Sequence, residues 1–410
     1  MKHLKIIFRT FFLLFAVLLT PQAVEAQVVE ARQDERVAYF DSVEVSLLTC
    51  QPHDEVYSLY GHTALRWHDL HTAANDGRAD QHEMESDIAY NWGIFNFNAP
   101  HFVARFVFGL TDYELGPYPY SRFQQEYQYY GSMVTEQVLN LTAAEKMRLK
   151  EILDDNMLPE NRIYRYNYFY NNCTTKARDA IEQCVSGKIE YSENKDFTPS
   201  FRDMVHEMAR NHPWARFGND VLLGIQADQP TTRREQEFLP HHLMHDFDEA
   251  QVYENGLYRP LVKERRVSVA PGVQMLEPGF PLSPMQCAIG LTIIGLLIFC
   301  LEWIKRKTFV VWDVLLALVS GVIGIVLFLM LFSQHPTVRL NLQFILYNPL
   351  HLFFLWPIVR GKKTRYWAIA AILALLFLLG GCWQTYAEGI QCLALCLLLQ
   401  CILHLFRKCK

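Results

Sequence analysis

No glycine-rich phosphate loop, Cys-X-X-Cys pair, Gly-X-Ser-X-Gly elbow or dinucleotide-binding fingerprint occurs in this chain. The sequence therefore gives no motif support for phosphate binding, dithiol redox chemistry, serine hydrolysis or nicotinamide chemistry. Internal repeats and low-complexity tracts are also missing. Cysteine is sparse at first: residues before Met285 include only Cys50, Cys173 and Cys184, and the other seven of the ten lie beyond. Basic charge is short there as well, with 27 Lys+Arg against 40 Asp+Glu. Nucleic acid requires a basic face, so this acidic balance excludes it as a partner. From Met285 onward acidic residues are the rare ones, 3 against 11 Lys+Arg, and apolar runs take over.

The N-terminus reads as an export signal. Lys2, Lys5 and Arg9 precede an apolar run from Phe11 to Leu19, and Ala-Val-Glu-Ala ends at Ala26 with small residues suited to cleavage. Residues 1–26 are read as a signal peptide; an uncleaved anchor would export the following domain equally. Five apolar stretches lie at 285–304, 308–332, 340–359, 366–383 and 388–406, the third interrupted by Asn348-Pro349. Each is close to the ~20 residues that cross a bilayer core. Basic clusters at 305–307, 360–365 and 407–410 alternate with weakly charged connections. Such clusters stay cytoplasmic, which places the C-terminus inside and residues 27–284 outside, in agreement with the export signal. The predicted organisation is an exported domain over 27–269, a Pro/Gly-rich linker over 270–284 and a five-helix all-α membrane domain over 285–410.

Within the exported domain, residues 43–49 alternate like a strand, and 61–68 and 88–95 read as two more. Thr142 and Glu145 form a capping box that opens a helix. Tyr164, Tyr166, Tyr168 and Tyr170 then recur two apart, as on one strand face. They form either an aromatic patch in a sheet or a wall for an acyl chain. Asn171 or Asn172 is suited to cap the next helix, along which Ala177, Ala180, Ile181, Cys184 and Val185 recur, with Gly187 as the stop. Cys173 falls in its first turn, where the positive end of the helix favours thiolate and unpartnered N–H groups are free to hold an oxyanion. A small structural cysteine, or half a disulfide, fits the same local pattern. Three exported cysteines leave at least one unpaired, and a Cys50–Cys184 bridge would leave Cys173 free.

A nucleophilic thiol needs an imidazole base. His62 follows a glycine in an otherwise apolar strand, a setting that equally suits a satisfied core histidine. Asp87, Ala89 and Asn91 share one face of the following strand, so Asn91 or Asp87 is placed to orient the imidazole. Elsewhere, His241 with His245 and His242 with Asp246 sit four apart; a solvated helix face explains them better than zinc, since no glutamate stands inside the pair. The segment 67–71 gives a weaker signal still. His335, Arg339, Asn341, Gln343 and Asn348 gather near the outer end of the third span, where polar groups serve either function or helix packing.

The order of a histidine strand, a polar residue on the next strand and a cysteine at a helix start resembles the circularly permuted papain-like α+β fold of lecithin–retinol acyltransferase-like and NlpC proteins. More closely, the stretches LLTC, YGHTALR, YNWG, NNCTTKARD, FLPHHL, SQHP and NPL resemble the Lnb family of Bacteroidota, lipoprotein N-acyltransferases with a periplasmic domain ahead of a membrane domain. The resemblance spans nearly the whole chain after the signal. It implies Cys173 as nucleophile, His62 as base, a phospholipid acyl donor, a lipoprotein acceptor and residence in the bacterial inner membrane. It calls for no cofactor and no metal. The expected substrate contacts are Tyr60, Tyr168, Tyr170, Asn172, Arg339 and Asn341. A cell-wall peptidase or lipid hydrolase would use the same dyad with water as acceptor. A membrane-anchored binding or scaffold protein would use Cys173 structurally.

Overall fold

The computed structural model describes residues 33–410 except 54, 56–57, 71–85, 97, 275–278, 362–364 and 407–410. The signal segment and the last basic cluster lie outside the described residues, as do His71 and parts of the linker and of the 360–365 cluster. Among the described residues ten strands are formed: β1 (Val43–Cys50), β2 (His62–Asp69), β3 (Asp87–Ile94), β4 (Asp112–Pro119), β5 (Val134–Leu139), β6 (Ile163–Arg165), β7 (Lys188–Glu190), β8 (Gln251–Glu254), β9 (Leu257–Pro260) and β10 (Val262–Val269). Seven make one antiparallel sheet in the order β10-β5-β1-β2-β3-β4-β6, and β7-β8-β9 make a small second sheet. The helices of the first domain are α1 (Phe102–Val107), α2 (Tyr120–Tyr129), α3 (Ala143–Met157), α4 (Cys173–Cys184), α5 (Phe201–Met208), α6 (Pro213–Leu222) and α7 (Pro240–Glu249). Those of the second are α8 (Pro284–Lys305), α9 (Val310–Met330), α10 (Tyr366–Gly380) and α11 (Ile390–Phe406).

Alternation in the strands sends two apolar sets to opposite faces of the sheet. Val43, Val45, Leu47, Leu65 and Trp67 pack with residues of α3, α4 and α7, including Leu149, Ala177, Ile181 and Phe247. Leu48, Cys50, Ala64 and Ala89 pack on the other side against Tyr120, Phe123 and Tyr127 of α2. Cys50 and Cys184 are therefore buried in separate clusters as free thiols, not as a bridge. On the α2 side Arg66 bonds Asp87 at 2.7 Å and Glu136 at 3.0 Å, with its guanidinium 3.6 Å from the centre of the Tyr120 ring. Glu136, fully buried, also receives Arg266 at 2.9 Å.

Two predicted elements differ. The tyrosine ladder is not one strand face: β6 ends at Arg165, and the chain turns. Asn167 Oδ1 accepts from the Phe169 and Tyr170 amides, and Asn167 bridges Asn171. Asparagine turn chemistry thus overrides the alternation. The third apolar stretch is not one helix either. It breaks into two 3-10 helices, Pro336–Val338 and Leu342–Ile345, and two short α-helices, Leu350–Phe353 and Leu355–Val359. Among the described residues, α8 and α9 are the helices long and apolar enough to cross a membrane; α10 and α11 are apolar but shorter. Irregular backbone survives in such a domain where protein buries it, and Leu346 and Tyr347 are wholly buried here.

The broken segment joins the two domains. A helix leaves its last carbonyls unpaired, and those of α6 are met from the membrane side. Asn341 Nδ2 donates to Val221 O at 2.8 Å, Gln343 Nε2 to Asp220 O at 2.9 Å and Gln384 Nε2 to Leu223 O at 3.1 Å. Gly224 N donates to Thr337 O at 2.9 Å, and Arg216 pairs with Glu388 at 2.6 Å. Next to α1, Ser333 and the Gln334 amide donate to Val107 O and Phe108 O. The polar cluster of the third stretch is thus largely structural. Asn341, expected at the substrate, is committed to the joint, whereas the Arg339 side chain is exposed.

Candidate functional site

α4 starts at Cys173 because Asn172 caps it. Asn172 Oδ1 accepts from Thr175 N at 3.0 Å, and Thr175 Oγ1 accepts from Asn172 N at 2.9 Å. Asn172 Nδ2 donates to Tyr168 O and Phe238 O at 3.0 and 2.9 Å. Both amide hydrogens and the oxygen are in use as scaffold, and Asn172 also lines the cavity that holds Cys173. The cap does not use the N–H groups of Cys173 and Thr174, which open the helix beside the thiol. Thr174 Oγ1 lies 3.1 Å from Thr63 Oγ1 on β2, tying the helix start to the sheet.

His62 is the first residue of β2. Gly61 before it has φ 75°, and a Cβ there would stand 2.6 Å from the Cys50 carbonyl, so the chain enters the strand this way only with glycine. His62 and Cys173 line the same cleft, and each acts on the ionisation of the other. His62 Nε2 lies 2.8 Å from Asn91 Oδ1. The Gly93 amide donates to the same oxygen at 2.7 Å, which fixes the amide's orientation. An amide oxygen only accepts, so Nε2 carries the proton and Nδ1 is left for the thiol. β3 is irregular between Asn91 and Ile94, and a Cβ on Gly93 would lie 2.7 Å from His62 Cε1. Asp87, the alternative orienting residue, shares the face of Asn91 but receives Arg66 Nε and Nη2, both at 2.7 Å.

The electrostatics follow from this geometry. Burial pushes the Cys173 thiol up, but His62, then the Thr63 N–H and the Thr174 hydroxyl, bring it down from 9.0 to about 7. Burial pulls His62 down, and the thiolate and Asn91 more than reverse it. Each group thus promotes the ionisation of the other. Burial has no such opponent at the other exported thiols: it raises Cys184 to about 12 and Cys50 further.

Cys173, His62 and Asn91 line a cavity of about 410 Å³, also bounded by Trp92, Glu126 and Pro240. Tyr60 and Tyr168 line it too, their rings 4.9 Å apart, and Tyr60 Oη accepts from Asn219 at 2.9 Å. Tyr170 does not reach it. Its side chain is exposed and its hydroxyl bonds Glu235 at 3.2 Å, which corrects the expected substrate contact. Sequence reasoning missed Thr63, Thr174 and Gly93; only the glycine beside Trp92 carried a signal. On α7 the grouping differs from the predicted pairs: Glu207, His241 and His242 bring ligand atoms within 4.8 Å of one another. Asp246 receives Lys195 and Arg233 instead. Both histidines are half-buried rather than on a solvated face, and burial pushes His242 down to about 3. None of the three lines the Cys173 cavity.

These features define a membrane protein whose α/β domain holds a thiol, an imidazole and an amide in one cleft. Residues 31–209 match the Lnb N-terminal periplasmic domain, and residues 276–410 match the Lnb transmembrane domain. The chain belongs to the Lnb family, with a periplasmic domain ahead of its membrane domain. No curated protein and no solved structure matches it.

Proposed function

We propose that the chain is a lipoprotein N-acyltransferase of the bacterial inner membrane, with Cys173 as nucleophile, His62 as base and Asn91 as the residue that orients His62. The observation that carries this reading is a thiol brought to about 7 by an imidazole whose far nitrogen is held by an amide. The thiolate attacks the ester carbonyl carbon of a phospholipid. The Cys173 and Thr174 N–H groups hold the oxyanion. The carbon–oxygen bond breaks, the leaving alkoxide takes the proton from His62, and lysophospholipid departs from a thioester. The α-amine of a lipoprotein's diacylglyceryl-cysteine then attacks that thioester, His62 takes the amine proton and the carbon–sulfur bond breaks. The product is an N-acylated lipoprotein, and the thiolate is restored.

Family membership supports this acceptor over water, and a membrane domain joined to the cleft suits substrates that stay in the bilayer. The order of histidine strand, asparagine strand and cysteine helix supports a permuted papain-like fold. The alternating basic clusters support five membrane crossings, the third through the broken segment, with a cytoplasmic C-terminus. Mass spectrometry of lipoprotein N-termini tests the function. Cells lacking the protein are expected to carry free α-amines, restored to N-acyl by the wild type and not by Cys173→Ser. Full N-acylation with Cys173→Ser would overturn the reading.

A further inference from the structure

A second cavity, of about 550 Å³, lies where the two domains meet. It shares Tyr60, Phe95, Tyr113, Tyr166 and Tyr168 with the Cys173 cavity, so the two adjoin along these side chains. Its chemistry is different. Phe102 and Phe106 of α1, Leu222 of α6, and Met330 and Val338 of the membrane domain make it predominantly apolar. No single domain encloses it. α6 forms one wall, and α6 is held by the membrane-side amides of Asn341, Gln343 and Gln384 and by Arg202, which bonds Asp220 at 2.7 Å.

We infer that this cavity receives the acyl chain that Cys173 carries as a thioester, and that α6 limits the length of that chain. The inference rests on the proposed acyl transfer and adds where the chain goes. The cleft that would hold the reacting carbonyl adjoins an apolar space, as an ester head and a hydrocarbon tail require. The size also agrees. At ~30 Å³ per methylene, about the share of one water in the liquid, the space suits one chain of roughly 15 to 18 carbons. One chain of that length fills it, which matches transfer of a single acyl group. Residues 210–275, including α6, fall between the two family-matched segments, so the limiting wall is not part of either matched region.

Gly218 of α6 provides the test. It lines the cavity, and a Cβ added there meets no heavy atom within 4 Å. The first carbon of a larger side chain therefore has open space at the cavity wall. Gly218→Leu shortens the room by about three or four carbons, and each methylene denied burial lowers occupancy about fourfold. The intact protein, in vesicles of phosphatidylethanolamine with matched chains from decanoyl to stearoyl, is read by the mass of the Cys173 adduct. The ratio of stearoyl to decanoyl adduct is expected to fall by about tenfold or more in Gly218→Leu. Phe102→Ala, which widens the cavity, is expected to move the ratio the other way. Unchanged ratios in both variants, with wild-type adduct present, would overturn the placement of the chain while leaving acyl transfer intact. No adduct from the wild type at any length would overturn acyl transfer itself, and this inference with it.

Discussion

Burial and an imidazole pull the Cys173 thiol in opposite directions, and the imidazole prevails. Thiolate is the reactive form, so a lowered pKa moves the onset of reaction to lower pH. Alkylation of Cys173 by iodoacetamide is expected to rise through about pH 7, while Cys50 and Cys184 stay silent in the folded protein. In His62→Ala only the Thr63 N–H and the Thr174 hydroxyl still oppose burial, and the onset should move to higher pH. An unshifted profile would mean that another group holds the thiolate. Asn91 and Asp87 separate chemistry from stability. Asn91→Ala removes the acceptor on Nε2 and is expected to slow thioester formation by roughly tenfold to a hundredfold with little change in melting temperature. Asp87→Ala leaves two bonds of Arg66 unmade and should cost about 1–3 kcal/mol in denaturant unfolding while sparing the rate. The face shared by these two residues was legible from strand parity. Their different partners were not, because parity does not say which neighbour is an arginine.

Among the elements, β1, β2, β3, α3 and α4 were legible because local signals agree with packing. Alternation, the Thr142–Glu145 box and a helical stripe from Ala177 to Cys184 all point to the structure observed. The tyrosine ladder misled because Asn167 and Asn171 impose a turn that alternation cannot register. The irregularity in β3 was likewise silent in the sequence, yet it sets the Asn91 and Gly93 geometry. Gly93→Ala tests its importance. The added methyl would sit 2.7 Å from His62 Cε1 and 2.9 Å from Asn91 Oδ1, so the ring must rotate away. Acyl-enzyme formation is expected to fall by about a hundredfold with circular dichroism unchanged. Wild-type turnover would show that the ring has room to adapt.

At the scale of the whole molecule, the sequence separates two domains but says nothing of how they meet. The joint is made by amides that reach carbonyls at the end of α6, and no periodicity encodes such a match. Asn341→Ala removes the shorter of two bonds to Val221 O, leaving Gln343 Nε2 at 3.2 Å, and Gln343→Ala removes the shorter of two to Asp220 O, leaving Arg202 at 3.4 Å. Each is expected to lower stability by about 1 kcal/mol, read as a lower melting temperature of the full chain in detergent. Stability equal to wild type in both would show that the joint is held elsewhere, for example by Arg216 and Glu388.

Met330, which lines the apolar cavity, is also the last residue of a helix long enough to cross a bilayer. A donor chain that enters there passes from lipid to protein without crossing water. Encounter then becomes a two-dimensional problem, governed by how crowded the surface is with donor and not by how much donor the vessel contains. Diluting the donor lipid with an inert detergent, at constant total donor, should therefore slow acyl-enzyme formation in proportion to the donor's mole fraction in the micelle. A rate that ignores mole fraction and follows bulk concentration would mean that the chain arrives through solvent.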